Sequence, residues 1–201
     1  YYLFVYAANV SLMDEGALVI PYGTTVIPDF EPYDDEKEPE ENYTFKKRII
    51  KVIIPDSVTI IDFLAFEGCS NLFSVVIPDS VITIETGAFF RCLNLETVVI
   101  GDNVESIGNN AFYSCSSLKK VNIPDSVTTI GYAAFSSCSS LTSVVIGNSV
   151  TTIGFNGFYN CSNLASVTFK ARNNVPQAAT SLTLDNDVWK RTPLKVIIPD
   201  N

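Results

Sequence analysis

The chain has 201 residues, 47% hydrophobic and 17% charged, with a net charge of −9 and no His. That length and composition suit a folded domain with a sizeable core and exclude a disordered polypeptide. The acidic balance argues against a nucleic-acid backbone as partner, no apolar run approaches the ~20 residues of a membrane-spanning helix, and the missing His removes His-dependent triads and His-ligated metal sites.

Tyr1 stands where an initiator Met would, which reads as a mature or trimmed form. The five cysteines, Cys69, Cys92, Cys115, Cys138 and Cys161, are each 23 residues apart. Such regularity marks an internal repeat. Residues 1–48 then read as an N-terminal cap coil. Ile20-Pro21 precedes the matching Ile54-Pro55 by 34 positions, one repeat plus 11 residues. The extra residues fall in an acidic insertion at 29–41 with eight carboxylates and one Lys, net −7, which leaves −2 for everything else. Its plain reading is a solvated loop that folds back on Lys46, Lys47 and Arg48. Its sharper reading is an accessory docking strip for a basic partner, through Asp34, Asp35, Glu36, Glu38, Glu40 and Glu41. Acid pairs there do not form a catalytic dyad, because nothing buries or fixes them.

Five full repeats follow over 49–163, each close to L-x-x-V-x-I-P-D-S-V-T-x-I-G-x-x-A-F-x-x-C-S-S. Val-x-Ile alternates and is β-branched, so it predicts a short strand with both named residues facing inward. Pro-Asp-Ser or its Gly-Asp/Asn variant predicts a turn. Val-Thr-x-Ile is a second extended piece, and Gly108, Gly131 and Gly154 mark a bend. Ala-Phe-x-x-Cys suits one helical or 3-10 turn. Eight inward positions per unit cannot close a core alone, but stacked coils can, rising about 4.8 Å each. Residues 164–201 read as C-terminal cap coils. Val167 precedes Val196 by 29 positions, and Val188-Trp189 takes the Ala-Phe place. The expected fold is one continuous solenoid, a right-handed β/α superhelix of short parallel strands.

The stretch from Leu118 through Val121, Ile123-Pro124-Asp125-Ser126-Val127-Thr128, Ile130-Gly131 and Ala134-Phe135 to Cys138 resembles the BspA-like leucine-rich repeat family. The resemblance implies a secreted or surface-attached protein of bacteria or protists. It also implies adhesion to host matrix or cell-surface proteins, and it carries no catalytic signature to transfer.

The repeat columns have plain structural readings. Phe66, Phe89, Phe112, Phe135 and Phe158 form a core spine, and the cysteines are expected to be buried and reduced beside them. Asp56, Asp79, Asp102 and Asp125 fit turn capping better than calcium, which needs six to eight converging oxygens. The sequons at Asn9, Asn42 and Asn160 matter only in a eukaryotic secretory pathway. The outward strand positions carry the functional expectation. They form two rows: Lys51, Ser74, Thr97, Lys120, Ser143 and Ser166; and Ile53, Val76, Val99, Asn122, Val145 and Thr168. An aliphatic strip rimmed by polar groups fits a contact surface. The expected function is a non-enzymatic cell-surface or secreted protein-binding or adhesion module, with no catalytic, cofactor or metal site. The alternative is a structural spacer or stalk of a larger surface protein. A hydrolase finds no support, since the Ser, Asp and Lys residues sit in repeat columns without a convergent base.

Overall fold

The structure is a computed structural model that describes residues 11–12, 16–29, 46–170, 183–184 and 195–197. Its strands fall into two sheets. The first has nine, at Ser11–Leu12, Ala17–Val19, Lys51–Ile53, Ser74–Val76, Thr97–Val99, Lys120–Asn122, Ser143–Ile146, Ser166–Phe169 and Lys195–Ile197. All neighbours are parallel except Ser11–Leu12, which runs antiparallel to Ala17–Val19. The second sheet has seven two-residue strands, all parallel, from Val26–Ile27 to Thr183–Leu184.

Register follows the repeat. Ser74 pairs with Thr97 and Ser143 with Ser166, each 23 positions on. Across the acidic insertion Ala17 pairs with Lys51 and Ile27 with Ile61, both 34 positions on, as the Ile-Pro spacing predicts. At the other end Val167 pairs with Val196, the expected 29 positions. Ile153, however, pairs with Leu184, 31 positions on. Eight extra residues therefore enter between Phe169 and Thr183, and the return stretch is two shorter. Val188-Trp189 lies outside the described residues.

The core lies between the two sheets and a third, turn-built side. Every member of the eight inward columns is buried except Ile54, which is half-buried against the core. The five Phe rings stack with centroids 5.1–5.2 Å apart and planes 4–16° from parallel. That spacing is close to the strand-to-strand distance of a sheet, as a coil stacked on parallel ladders requires.

The third side departs from expectation. Ala-Phe-x-x-Cys is neither an α-helical nor a 3-10 turn but a run of β-turns, and among the described residues only 46–48 are helical. The β/α description is corrected accordingly. The reason lies in backbone sign. Two residues per coil, four apart, adopt positive φ: Leu64 and Gly68, Gly87 and Arg91, Asn110 and Ser114, Ala133 and Ser137, Asn156 and Asn160. A helix cannot pass through such positions. Alternate N–H groups then leave the coil. Leu64, Phe66 and Gly68 donate to the carbonyls of Thr86, Ala88 and Phe90 at 2.7–3.1 Å, while Ala65, Glu67 and Cys69 close turns within the coil. The same pattern recurs from Gly87, Phe89 and Arg91 to Asn109, Ala111 and Tyr113. This third ladder satisfies the backbone coil to coil.

The bend glycines also have another cause. A Cβ on Gly108, Gly131 or Gly154 would lie 2.6 Å from backbone of the preceding coil. Close stacking, rather than turn conformation, demands glycine there.

Candidate functional site: the outward face of the first sheet

The strands place their middle residues inward and their flanking residues on one open face. Lys51, Thr97, Lys120 and Asn122 are exposed, and Ser74, Ser143, Ser166, Val145 and Thr168 are half-buried. Ile53, Val76 and Val99 are 45%, 61% and 56% exposed, large values for aliphatic side chains. Ladder register aligns them across coils, with Val76 beside Val99, Asn122 beside Val145 and Val145 beside Thr168. The aliphatic strip is therefore concentrated on the N-terminal half of the face. Two further exposed residues just before the strands, Ile50 and Phe73, are absent from the sequence reading. They share one repeat column with Glu96, Lys119 and Thr142, so no constant residue type signals them.

Val76 and Val99 lead into an open groove walled by the turns of three successive coils, through Asp56, Pro78, Asp79, Asp102 and Asn103. Each turn closes from Pro or Gly, as in Val81 N–H to Pro78 O at 3.1 Å and Val104 N–H to Gly101 O at 3.2 Å. Two of the Asp side chains cap the turn of the next coil rather than their own. Asp79 Oδ1 accepts the backbone N–H of Asp102 at 2.7 Å, and Asp125 Oδ1 accepts that of Asn148 at 3.0 Å. Both bonds form where Gly101 or Gly147 follows a Pro of the preceding coil. A Cβ at Gly101 would sit 2.4 Å from Pro78 O, and one at Gly147 would sit 2.2 Å from Pro124 O. Asp125 also meets Lys170 at 3.2 Å, and Lys119 pairs with Glu96. Among the described residues no group of three His, Cys, Asp or Glu side chains is arranged to hold a metal ion.

The thiols are all free and buried. Cys92, Cys115, Cys138 and Cys161 each donate to the carbonyl of the Phe 26 positions earlier, at 3.1–3.3 Å. Burial pushes Cys69 and Cys161 up to about 12 and Cys92 and Cys138 well above the usual 9.0. Such thiols are neutral near pH 7, so they are poor nucleophiles and poor metal ligands.

Of the acidic strip, Asp34, Asp35, Glu36, Glu38, Glu40 and Glu41 lie outside the described residues. Its first carboxylate, Asp29, meets the positive cluster as expected: Lys46, 3% exposed, donates to Asp29 Oδ1 at 2.7 Å and to Leu64 O at 3.3 Å. Sequence reasoning also missed outer aromatic pairs on the turn side, Phe90 on Tyr113 and Tyr132 on Phe155, with Arg91 over Phe90 at 5.3 Å. Their columns mix aromatic with polar residues, which hides them.

The model of the BspA type leucine rich repeat region matches residues 40–175 in six copies. The chain belongs to that family. A comparison with curated proteins returned no match. Among solved structures, the leucine rich repeat protein TpLRR of T. pallidum is 31% identical, with a TM-score of 0.58, over 80% of this chain and 67% of its own. A leucine-rich repeat protein of Eubacterium ventriosum is 28% identical, with a TM-score of 0.63, over 82% and 44%. A leucine rich cell surface protein of Faecalibacterium prausnitzii is 21% identical, with a TM-score of 0.52, over 92% and 60%, and is a likeness of fold alone. This BspA-type chain thus spans about two thirds of the first of these neighbours and less of the other two.

Proposed function

We propose that this BspA-type repeat chain is a non-enzymatic protein-binding or adhesion module, acting at the cell surface or after secretion, that engages a protein partner through the outward face of its first sheet. The observation that carries the reading is the aligned, solvent-facing row of Ile53, Val76 and Val99 between polar rows. Burying such aliphatics against a partner contributes roughly 25 cal/mol per Å² of apolar surface, and the stacked ladders fix the backbone that carries them, which lowers the ordering cost at the moment of binding. The fit with a non-enzymatic role is chemical: burial pushes up the thiols of Cys69, Cys92, Cys138 and Cys161, and Asp56, Asp79 and Asp102 stand singly on three successive coils. Location and host-matrix partners rest on family membership.

The test is capture of purified matrix and cell-surface proteins by the intact chain and by a variant with Val76→Lys, Val99→Lys and Val145→Lys. The variant, folded by circular dichroism, is expected to lose at least tenfold in affinity, since charge now opposes burial at three points. Equal capture by both proteins excludes this face.

A further inference from the structure

We infer that the groove beside the aliphatic strip takes a Lys- or Arg-rich segment of a protein partner, an inference that rests on the sheet-face reading above. The groove joins two chemistries. Its floor holds the exposed aliphatics Val76 and Val99, and its wall carries Asp56, Asp79 and Asp102, one carboxylate from each of three successive coils. Among the described residues no Lys or Arg pairs with any of the three, whereas Asp125 in the same row meets Lys170 and Glu96 meets Lys119. Asp79 spends one oxygen on the backbone N–H of Asp102 and keeps the other. Asp56, Asp79 and Asp102 are all exposed.

Long basic side chains match that pairing of surfaces. Their methylene stems lie along apolar surface while the charged head reaches outward. Over this groove the stems cover Val76 and Val99 and the heads reach the carboxylate row. The row is spread along the stacking axis at about the 4.8 Å interval of stacked strands, so it presents successive single charges rather than one multidentate site. Ser80 lines the same wall, and its Oγ is buried without a hydrogen-bond partner, although Ser126 two coils on donates to Val104 O at 2.7 Å. A buried hydroxyl left unmet is unusual in a finished surface. The acidic chain as a whole, at −9, draws such a segment in from a distance.

The experiment uses fluorescein-labelled hexalysine, and for comparison a hexamer of 2,4-diaminobutyrate, which has equal charge and shorter stems. Binding is read by anisotropy at pH 6.5 and fixed moderate salt. The intact chain should bind hexalysine more tightly than the short-stemmed hexamer. A variant with Asp56→Asn, Asp79→Asn and Asp102→Asn keeps the acceptor for Asp102 N–H and should melt like the parent. It should bind hexalysine about tenfold more weakly, the loss expected for three exposed charge pairs. Val76→Ser with Val99→Ser should erase the preference for the longer stem. Neutralising Asp34, Asp35, Glu36, Glu38, Glu40 and Glu41 to Asn or Gln should change binding by no more than about threefold, as screened remote charge does. Equal binding of the two hexamers, an unchanged affinity in the Asn variant, or loss only on neutralising the insertion overturns the inference. If the Val→Lys face variant loses partner capture while the Asn variant keeps hexalysine binding, the groove inference falls and the sheet-face reading stands. If capture survives Val→Lys while hexalysine binding needs the three Asp residues, the sheet-face reading falls and the groove stands.

Discussion

Phe112 shows what one residue contributes when every coil repeats it. Its ring lies 5.1 Å from both Phe89 and Phe135 and is fully buried. Removing it leaves a gap that neighbouring coils cannot close, because their spacing is held by three hydrogen-bonded ladders. Phe112→Ala should cost ~3–5 kcal/mol of unfolding free energy, read from chemical denaturation. A variant as stable as the parent would mean the ring does not face the core. The Cys column beside it uses the same logic in polar form: four of the five thiols, those of Cys92, Cys115, Cys138 and Cys161, meet a Phe carbonyl of the coil before and so help to hold the coils together.

At the scale of elements, strands and turns were legible in the sequence to different degrees. The strands follow from alternation: Val75 and Ile77 inward, Ser74 and Val76 outward, repeated until the register is fixed by the 23-residue period. The 34-residue offset of Ile20-Pro21 from Ile54-Pro55 placed the N-terminal coil for the same reason. The turn side was misread because its determinant is the sign of φ, and the residues that adopt positive φ include Leu64, Arg91, Ala133 and Ser114, none of which advertises it. Apolar spacing of i and i+3 looks helical whether the intervening backbone is right- or left-handed. Asn110, at φ 53°, separates the two readings. A helical turn predicts that Gly at this site costs roughly 0.3 kcal/mol, since Gly ranks just below Asn in helix propensity, and that Val is tolerated. The β-turn ladder predicts the reverse: Asn110→Gly melts at or above the parent, and Asn110→Val loses ~1–2 kcal/mol. Melting curves of the two variants decide. The groove was likewise hidden, since it arises where Gly101 lets a coil close onto Pro78 and Asp79, a relation between coils rather than within one.

For the whole molecule, stacking converts a short motif into a surface. The first three full coils contribute the outward aliphatics Ile53, Val76 and Val99 and the carboxylates Asp56, Asp79 and Asp102, and stacking lines these up into a strip and a row beside it. Charge is divided unevenly, with −7 in the insertion and −2 in the remainder, so most of the molecule's long-range negative field originates in one segment. Lys46, held by Asp29 and Leu64 O, ties the two together at the first coil. The fold depends on one division, between columns that face the core and rows that face solvent. Thiol labelling of native Val99→Cys tests it most directly, because all five cysteines of the chain are buried. The prediction is one thiol that reacts at the rate of a free thiol in the folded protein, with the other five reacting only on denaturation. A native protein with no fast thiol, or with more than one, would contradict it.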